Sequence, residues 1–250
     1  MNRYYFTQAL QITMPVFFGY TAIGIPFGLT VVNAGYPWWL APLMSIVMYA
    51  GAGQYVAIGL FSAGVSPVAI AVTELFVNVR HVVYGLSLIT KFKNVGKWKF
   101  FLIFGLTDET YALLTGCTVP EQSEPGTFYG TITLLDYLYW ISGSLTGAIA
   151  GTLLPFSFEG VDFALTALFA VLLIDQLRAT KDMLPCAIGL CVTTAAIVLS
   201  KLHVLDARHI LLSALSTGIA VLILFRGRNG FSSEKAEESP GSNTKSDLEG

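Results

Sequence analysis

The stretch SPVAIAVTELFVNVRHVVYGLSLIT, residues 66–90, decides the class of fold. It exceeds the roughly 20 mostly apolar residues that a helix needs to cross the hydrocarbon core of a membrane. A charge near the bilayer centre costs about 2.5–3.5 kcal/mol on insertion scales, so the ionisable residues of this stretch should face the interior of a helix bundle. On a helix, Glu74, Asn78 and His81 share one face, and Arg80 lies off that face.

The rest of the 250-residue chain is similarly apolar. Hydrophobic residues make up 54% of it and charged residues 12%, whereas a soluble domain carries about 25% charged residues. Mean hydropathy is +0.66. We therefore predict an all-α fold, a polytopic membrane helix bundle of about seven or eight apolar segments. The segments lie at about 8–33, 37–62, 65–90, 100–116, 127–154, 162–177, 183–200 and 209–225. A net charge of −2 gives no indication of nucleic-acid binding.

The end of the chain has a different composition. Residues 231–250, FSSEKAEESPGSNTKSDLEG, are rich in Ser, Glu, Gly and Lys and have almost no apolar content. Such a segment cannot bury a core of its own. We therefore divide the chain into a transmembrane domain, residues 1–225, and a disordered polar tail, residues 226–250.

Three of the segments contain residues that can interrupt a membrane helix. The first holds Pro15, Gly19, Gly24, Pro26 and Gly28, the second is split at Gly51-Ala52-Gly53-Gln54, and the fourth at Thr107-Asp108-Glu109-Thr110. Irregular backbone at membrane depth requires surrounding protein or a water-filled cavity, and many transporters build their binding sites from broken helices. We predict broken or re-entrant helices here, although Gly and Pro are also common in ordinary membrane helices.

The polar residues at these breaks indicate a site for a solute or a proton. Asp108 and Glu109 lie roughly 14 Å along a helix from Lys99. Two adjacent carboxylates at that depth would not both stay ionised without a cation. Arg80 is the only arginine inside an apolar segment, so we expect it to pair with Asp108 or Glu109 and leave the other carboxyl free to exchange a proton. The alternatives are a structural ion pair between helices and, for residues 107–110, a surface turn.

A zwitterionic solute such as a free amino acid needs hydrogen-bond donors for its carboxylate and acidic groups for its ammonium group. Exposed amides at a helix start can supply such donors. The substrate-binding candidates are Gly51, Gly53, Gln54, Asn78, Arg80 and Thr107. The candidates for proton coupling or ion pairing are Glu74, His81, Asp108 and Glu109. Asp136 also lies in an apolar context, LLDYLYW, but the sequence assigns it no role.

Four stretches together resemble the large subunit of the bacterial branched-chain amino-acid exporter family, the AzlC type. They are MYAGAGQYVAIGL (48–60), ELFVNVRHVVYGLSL (74–88), FGLTDETYAL (104–113) and DFALTALFAVLLIDQ (162–176). The resemblance covers roughly residues 5–225. It implies export of valine, leucine, isoleucine and sometimes methionine across the bacterial cytoplasmic membrane. It also implies a small hydrophobic partner subunit of the AzlD type, for which Gly143, Gly147 and Gly151 offer close helix packing.

The distribution of lysine and arginine predicts the orientation in the membrane. The connector KFKNVGKWK, residues 91–99, carries four lysines and is the strongest cytoplasmic signal. Eight plain crossings would place it on the opposite side from both termini. If the second and fourth segments are re-entrant, the connector and both termini are cytoplasmic, and we predict this arrangement.

Two other classes of function stay open from the sequence. One is an intramembrane enzyme, against which the chain lacks the H-E-x-x-H and G-x-S-x-G motifs. The other is a membrane scaffold that transports nothing. The three cysteines have no metal-binding or disulfide spacing, and no cofactor is predicted.

Overall fold

A computed structural model of the chain describes residues 3–93, 95–120, 123–154, 183–202, 204–206 and 210–237, with isolated positions between 163 and 178. These residues form helices and turns, and no strand occurs among them. The chain divides into two compact units, Met1–Lys181 and Asp182–Gly250. The all-α fold is therefore confirmed for the described part of the chain.

Seven of the eight predicted apolar segments correspond to described helices. In the first unit these are α1 (Arg3–Asn33), α2 (Leu40–Val47), α3 (Gly51–Ser62), α4 (Pro67–Ser87), α5 (Lys99–Phe104), α6 (Asp108–Gly116) and α7 (Pro125–Leu153), with a 3₁₀ turn at Gly96–Trp98 before α5. In the second unit they are α8 (Leu184–Lys201) and α9 (Ile210–Glu237). The sixth segment, 162–177, is described only at isolated positions.

Several of the described helices are long and apolar enough to cross a membrane. They are Tyr5–Asn33, Pro67–Ser87 and Leu184–Lys201, and Ile210–Leu224 forms a shorter apolar stretch. The last helix, α9, runs to Glu237 and so extends into the segment for which the composition predicts disorder. Residues 238–250 lie outside the described residues, so the prediction of a disordered tail stays a prediction.

The interruption expected in the first segment is wrong, because α1 is one continuous helix. Pro15 and Pro26 lie inside it, and each removes one backbone hydrogen bond without ending the helix. The glycines of α1 serve packing rather than a break. Gly24 and Gly28 lie against the backbone of α7, so closely that a Cβ atom added to Gly28 would overlap the peptide groups of Ser144 and Ala148.

The small residues of α7 complete this contact from the other side. Gly143 faces Gly24, and a Cβ atom added to Gly147 would overlap the backbone of Ile25. Gly151 faces the side chains of Leu29 and Val32. The Gly143, Gly147 and Gly151 stripe is thus filled by α1 within the chain, and it does not form a free surface for a partner subunit.

The second and fourth segments are interrupted, as predicted, although the breaks lie at residues 48–50 and 105–107, slightly before the predicted positions 51–54 and 107–110. The α2 helix ends at Val47 and α3 begins at Gly51, while α5 ends at Phe104 and α6 begins at Asp108. In the first break Tyr49 has a φ of +44°, the left-handed region that side chains rarely adopt. The helix that follows each break begins at the polar or glycine-rich motif, α3 at Gly51 and α6 at Asp108. The first unit therefore contains two helix N-termini at these breaks. The re-entrant path stays a prediction.

Candidate functional site

The two helix N-termini line one pocket. It is bounded by the first turns of α3 and α6, by Arg80 and His81 of α4, and by the aromatic side chains of Tyr20 and Trp140 from α1 and α7. Its cavity volume is about 30 Å³, and about 10–15 Å³ by this measure holds one water molecule. The space inside the pocket is therefore enough for about two water molecules.

Arg80 and Asp108 form an ion pair at the edge of this pocket. The Nη1 atom of Arg80 lies 2.7 Å from Oδ2 of Asp108, and the two side chains are 32% and 24% exposed. The other carboxylate oxygen of Asp108 accepts a hydrogen bond of 2.6 Å from the hydroxyl of Tyr84. The expected ion pair is therefore present, and of the two carboxyls that the sequence left open, the structure selects Asp108.

Glu109 has a different environment from its neighbour Asp108. Its Oε2 atom accepts a hydrogen bond of 3.1 Å from the hydroxyl of Tyr20. Within the described part of the chain no lysine or arginine lies within ion-pair distance of Glu109, and Arg80 pairs with Asp108 instead. Both carboxyls occupy the first turn of α6, where the partial positive charge of a helix N-terminus favours negative groups.

Thr107 begins α6 as its N-cap residue. Its backbone is extended, and its Oγ1 atom accepts a hydrogen bond of 3.2 Å from the amide of Thr110. The hydroxyl of Tyr20 lies 2.6 Å from the same oxygen. Thr107 is therefore a capping residue that lines the pocket, and its side-chain oxygen is already occupied by partners of this chain.

Gln54 belongs to a buried polar network beside the pocket. Its Oε1 atom accepts hydrogen bonds from Nε1 of Trp140 at 2.8 Å and from the amide of Ala50 at 3.3 Å. Its Nε2 atom donates to Ser45, which in turn donates to Ser144. The network joins the break between α2 and α3 to α7. It holds the Trp140 ring in the pocket wall, and Gln54 itself does not line the pocket.

Gly53, Glu74 and Asn78 form a separate group next to the start of α3. Asn78 donates a hydrogen bond of 3.0 Å from Nδ2 to Oε2 of Glu74. A Cβ atom added to Gly53 would lie 2.5 Å from Oε2 of Glu74. The glycine therefore lets α4 place a carboxylate against the first turn of α3, outside the pocket lining. Gly51, by contrast, lines the pocket. A Cβ atom added to Gly51 would lie 3.3 Å from the Trp140 ring.

Asp136, to which the sequence assigns no role, is buried on α7 beside α6. The residue is 0% exposed, and its Oδ2 atom accepts a hydrogen bond of 2.9 Å from the hydroxyl of Thr110. Its Oδ1 atom has no hydrogen-bond partner among the described residues, and neither has the buried hydroxyl of Tyr49. The signal in the sequence was a carboxyl in the middle of an apolar helix, a position that is costly without a function or a partner.

Known proteins similar to this chain are membrane proteins. The chain is 34% identical over 194 residues to the branched-chain amino acid transport protein AzlC of Bacillus subtilis. The aligned region covers 78% of this chain and 76% of that protein. It is 36% identical over 222 residues to an uncharacterized membrane protein of Helicobacter pylori, covering 88% and 95% of the two chains. It is 29% identical over 195 residues to the inner membrane protein YgaZ of Escherichia coli, covering 77% and 78%. No solved structure matches the chain.

The family comparison covers the helices that build the pocket. The family model described as AzlC protein matches residues 15–154, a range that contains every candidate site residue and runs from within α1 to the last residues of α7. Together with the identity to the Bacillus subtilis protein, this match shows that the chain belongs to the AzlC family.

Proposed function

We propose that this membrane transporter exports branched-chain and similar apolar amino acids from the cytoplasm, with proton coupling. The observation that carries the proposal is the pocket where two helix N-termini, the Arg80–Asp108 pair and the carboxyl of Glu109 meet. The name of the Bacillus subtilis relative, a branched-chain amino acid transport protein, supports the substrate class.

The chemistry of the pocket suits a zwitterion with an apolar side chain. The amides at the start of α3 and the guanidinium of Arg80 can receive a carboxylate. The carboxyls of Asp108 and Glu109 can receive an ammonium group. Trp140 and Ile23 add apolar surface to the lining. A cation, anions and apolar surface within one small pocket match the three parts of an amino acid such as leucine.

Substrate entry requires that this pocket open. A cavity of about 30 Å³ has room for about two water molecules and not for leucine. In this structure Asp108 occupies Arg80, and the pocket must widen to admit a substrate. In the transport cycle, the substrate carboxylate replaces Asp108 on the guanidinium, and the empty transporter returns with the pair restored.

Glu109 is our candidate for the proton-exchanging carboxyl at the pocket. Asp108 is held by Arg80 and Tyr84, whereas Glu109 has a hydrogen bond from Tyr20 and no cation among the described residues. A carboxyl without a counter-charge changes its protonation more readily than one in an ion pair. Protonation of Glu109 on one side of the membrane and deprotonation on the other would couple export to a proton gradient.

The partner and the orientation are also part of the proposal. We expect a small AzlD-type subunit to bind this chain in the bacterial cytoplasmic membrane. The AzlC resemblance supports this subunit, whereas the glycine stripe of α7 does not, because α1 covers it. We propose that both termini and the lysine connector at 91–99 face the cytoplasm, and the charge distribution supports this orientation.

Leucine flux in proteoliposomes tests the proposal. The full chain is reconstituted with and without an AzlD-type subunit, and efflux of labelled leucine is measured with and without a proton gradient. We expect saturable efflux that valine and isoleucine compete with and that a proton gradient accelerates. A correctly inserted complex that moves no branched-chain amino acid would refute the proposed substrate and favour a scaffold role.

A further inference from the structure

A continuous chain of hydrogen bonds leads from the pocket to Asp136. The hydroxyl of Tyr20 lies 3.1 Å from Oε2 of Glu109 and 2.6 Å from Oγ1 of Thr107. Thr107 donates to Thr110 at 3.1 Å, and Thr110 donates to Oδ2 of Asp136 at 2.9 Å. Two carboxyls on different helices, α6 and α7, are thus linked through three hydroxyl groups with no gap between them.

The last two bonds of this chain point in one direction. Thr107 gives its hydrogen to Thr110, and Thr110 gives its hydrogen to Asp136. A hydroxyl that accepts one hydrogen bond and donates another can pass a proton along without itself becoming charged. The two threonines are therefore oriented to deliver a proton to Oδ2 of Asp136.

Asp136 lacks the partners that a permanently charged carboxylate needs. It is fully buried, and no lysine or arginine pairs with it in the described helices. The ionisable groups whose charges interact with Asp136 are Glu109 on α6 and the phenols of Tyr20 and Tyr49. Burial of an unpaired carboxylate is costly, whereas a protonated carboxyl needs only hydrogen-bond partners.

The unpartnered oxygens argue against a purely structural carboxyl. Structural buried polar groups are nearly always fully hydrogen-bonded, yet Oδ1 of Asp136 and the hydroxyl of Tyr49 have no partner among the described residues. Protonation of Asp136 gives the carboxyl a hydrogen to donate, and the Tyr49 oxygen is an acceptor in the same buried region. A site that gains and loses a proton accounts for this incomplete bonding.

We propose that Asp136 is a second proton-binding residue of the transporter, and that Tyr20, Thr107 and Thr110 carry protons between it and Glu109. Protonation of Glu109 reverses its bond with Tyr20, so that the carboxyl becomes the donor and the Tyr20 hydrogen turns to Thr107. In the forward step the carboxyl proton of Glu109 then moves to the Tyr20 oxygen, and the Tyr20 hydrogen moves to Thr107. The Thr107 hydrogen moves to Thr110, and the Thr110 hydrogen to Asp136. Glu109 ends as a carboxylate and Asp136 as a neutral acid, with all three hydroxyls restored.

The inference rests on the proposed proton-coupled export. It assigns to Asp136 a proton-binding site that lies outside the pocket lining and is linked to the pocket by hydrogen bonds. Asp136 does not line the pocket, so it can hold a proton while the pocket exchanges substrate. Glu109 then forms the end of the hydrogen-bond chain that faces the substrate pocket, and Asp136 holds the proton away from the substrate.

Transport by matched variants provides the first test. Asp136→Asn should leave the exchange of labelled for unlabelled leucine within about twofold, because exchange moves no net proton, and should abolish accumulation driven by a proton gradient. A positioned proton-transfer group is typically worth 10²–10⁴ in rate, so Thr110→Val should slow that accumulation by about 100-fold. Thr110→Ser restores the hydroxyl and should restore the rate.

Thr146→Val is the matched control, since the Thr146 hydroxyl bonds only the carbonyl of Ser142 in its own helix. It should accumulate leucine like the unmodified chain. If Asp136→Asn inserts poorly, the comparison of Thr110→Val with Thr110→Ser decides. Gradient-driven accumulation that Asp136→Asn and Thr110→Val both retain would overturn the inference.

Infrared difference spectroscopy across a pH titration tests the same inference without any transported substrate. The unmodified protein should show the carbonyl band of a protonated carboxyl that is missing in Asp136→Asn and shifted in Thr110→Val. If leucine flux is absent but this band is present, the proposed substrate fails and the proton site stands. If flux is present and no band depends on Asp136, the proton site fails and the proposed export stands.

Discussion

Asp108→Asn is the sharpest test of the exchange between Asp108 and substrate on Arg80. The substitution removes the charge that lies 2.7 Å from the guanidinium, and asparagine can still accept the hydrogen bond from Tyr84. Hydrogen bonds to charged groups contribute about 1.5–3 kcal/mol net. Because the pair is a quarter to a third exposed, the lower end of this range applies, and about 1.4 kcal/mol corresponds to a factor of ten in an equilibrium constant.

The direction of the effect distinguishes two roles for Asp108. If Asp108 competes with the substrate carboxylate for Arg80, Asp108→Asn should bind leucine about tenfold more tightly. Tighter binding that the transition state does not share lowers turnover by a similar factor. If Asp108 instead binds the substrate ammonium group while it stays paired with Arg80, Asp108→Asn should bind leucine more weakly.

Equilibrium binding of labelled leucine to the purified chain in lipid nanodiscs measures this affinity, and efflux from proteoliposomes measures turnover. Glu124→Gln, which changes an exposed carboxylate at the start of α7, is the matched control and should leave both quantities unchanged. An affinity for leucine that is unaltered or lower in Asp108→Asn would refute the competition on Arg80.

Three further variants, one control variant and one pair of fusions test other parts of the structure. Glu109→Gln should keep leucine exchange and lose gradient-driven accumulation, measured in the same vesicles, whereas an unchanged accumulation would remove Glu109 from proton coupling. Arg80→Lys keeps the charge but loses the planar fork, so it should weaken leucine binding by about tenfold without lowering the thermal stability of the purified protein. Gly147→Ala forces a methyl group into the backbone of α1 and should destabilise the chain by about 1–3 kcal/mol, measured as a fall in melting temperature. Gly19→Ala, which meets nothing within 4 Å, should not. Topology reporters fused after Lys97 and at the C-terminus should both read cytoplasmic, and opposite sides would refute the re-entrant arrangement.

The helix breaks could be predicted from the sequence because the residues that cause them are local. Gly51 and Gly53 with Gln54, and Thr107 with Asp108, combine flexible or capping residues with polar groups inside apolar stretches. A capping threonine before two acidic residues favours the start of a helix, because its side chain bonds a first-turn amide and the acidic groups suit the positive N-terminus. The ion pair of Arg80 was predictable as a type, since a guanidinium inside an apolar segment needs a carboxylate. The choice of Asp108 over Glu109 depends on which side of the first turn of α6 faces α4.

Other features depend on contacts between distant parts of the chain. The continuity of α1 through Pro15 and Pro26 was not predictable, because it accompanies glycine-mediated packing along α7 that sequence periodicity does not show. Asp136 had no assignable role until its partner Thr110, on another helix, was known. Gln54 resembled a ligand-binding group beside a break, yet its amide is occupied by Ser45 and Trp140.

The distribution of burial within the first unit indicates which contact can exchange most easily. The α1 and α7 helices meet through glycines with backbone against backbone, and such close packing is lost if the helices separate. By contrast, only Ile70 and Thr73 of α4 are buried, and α4 is joined to α6 by polar bonds at Asp108 and between Ser87 and Tyr111. Polar bonds that exchange one partner for another have a small net cost. Because Arg80 joins α4 to the start of α6, the proposed replacement of Asp108 by a substrate carboxylate would loosen this polar contact and leave the α1–α7 pair intact.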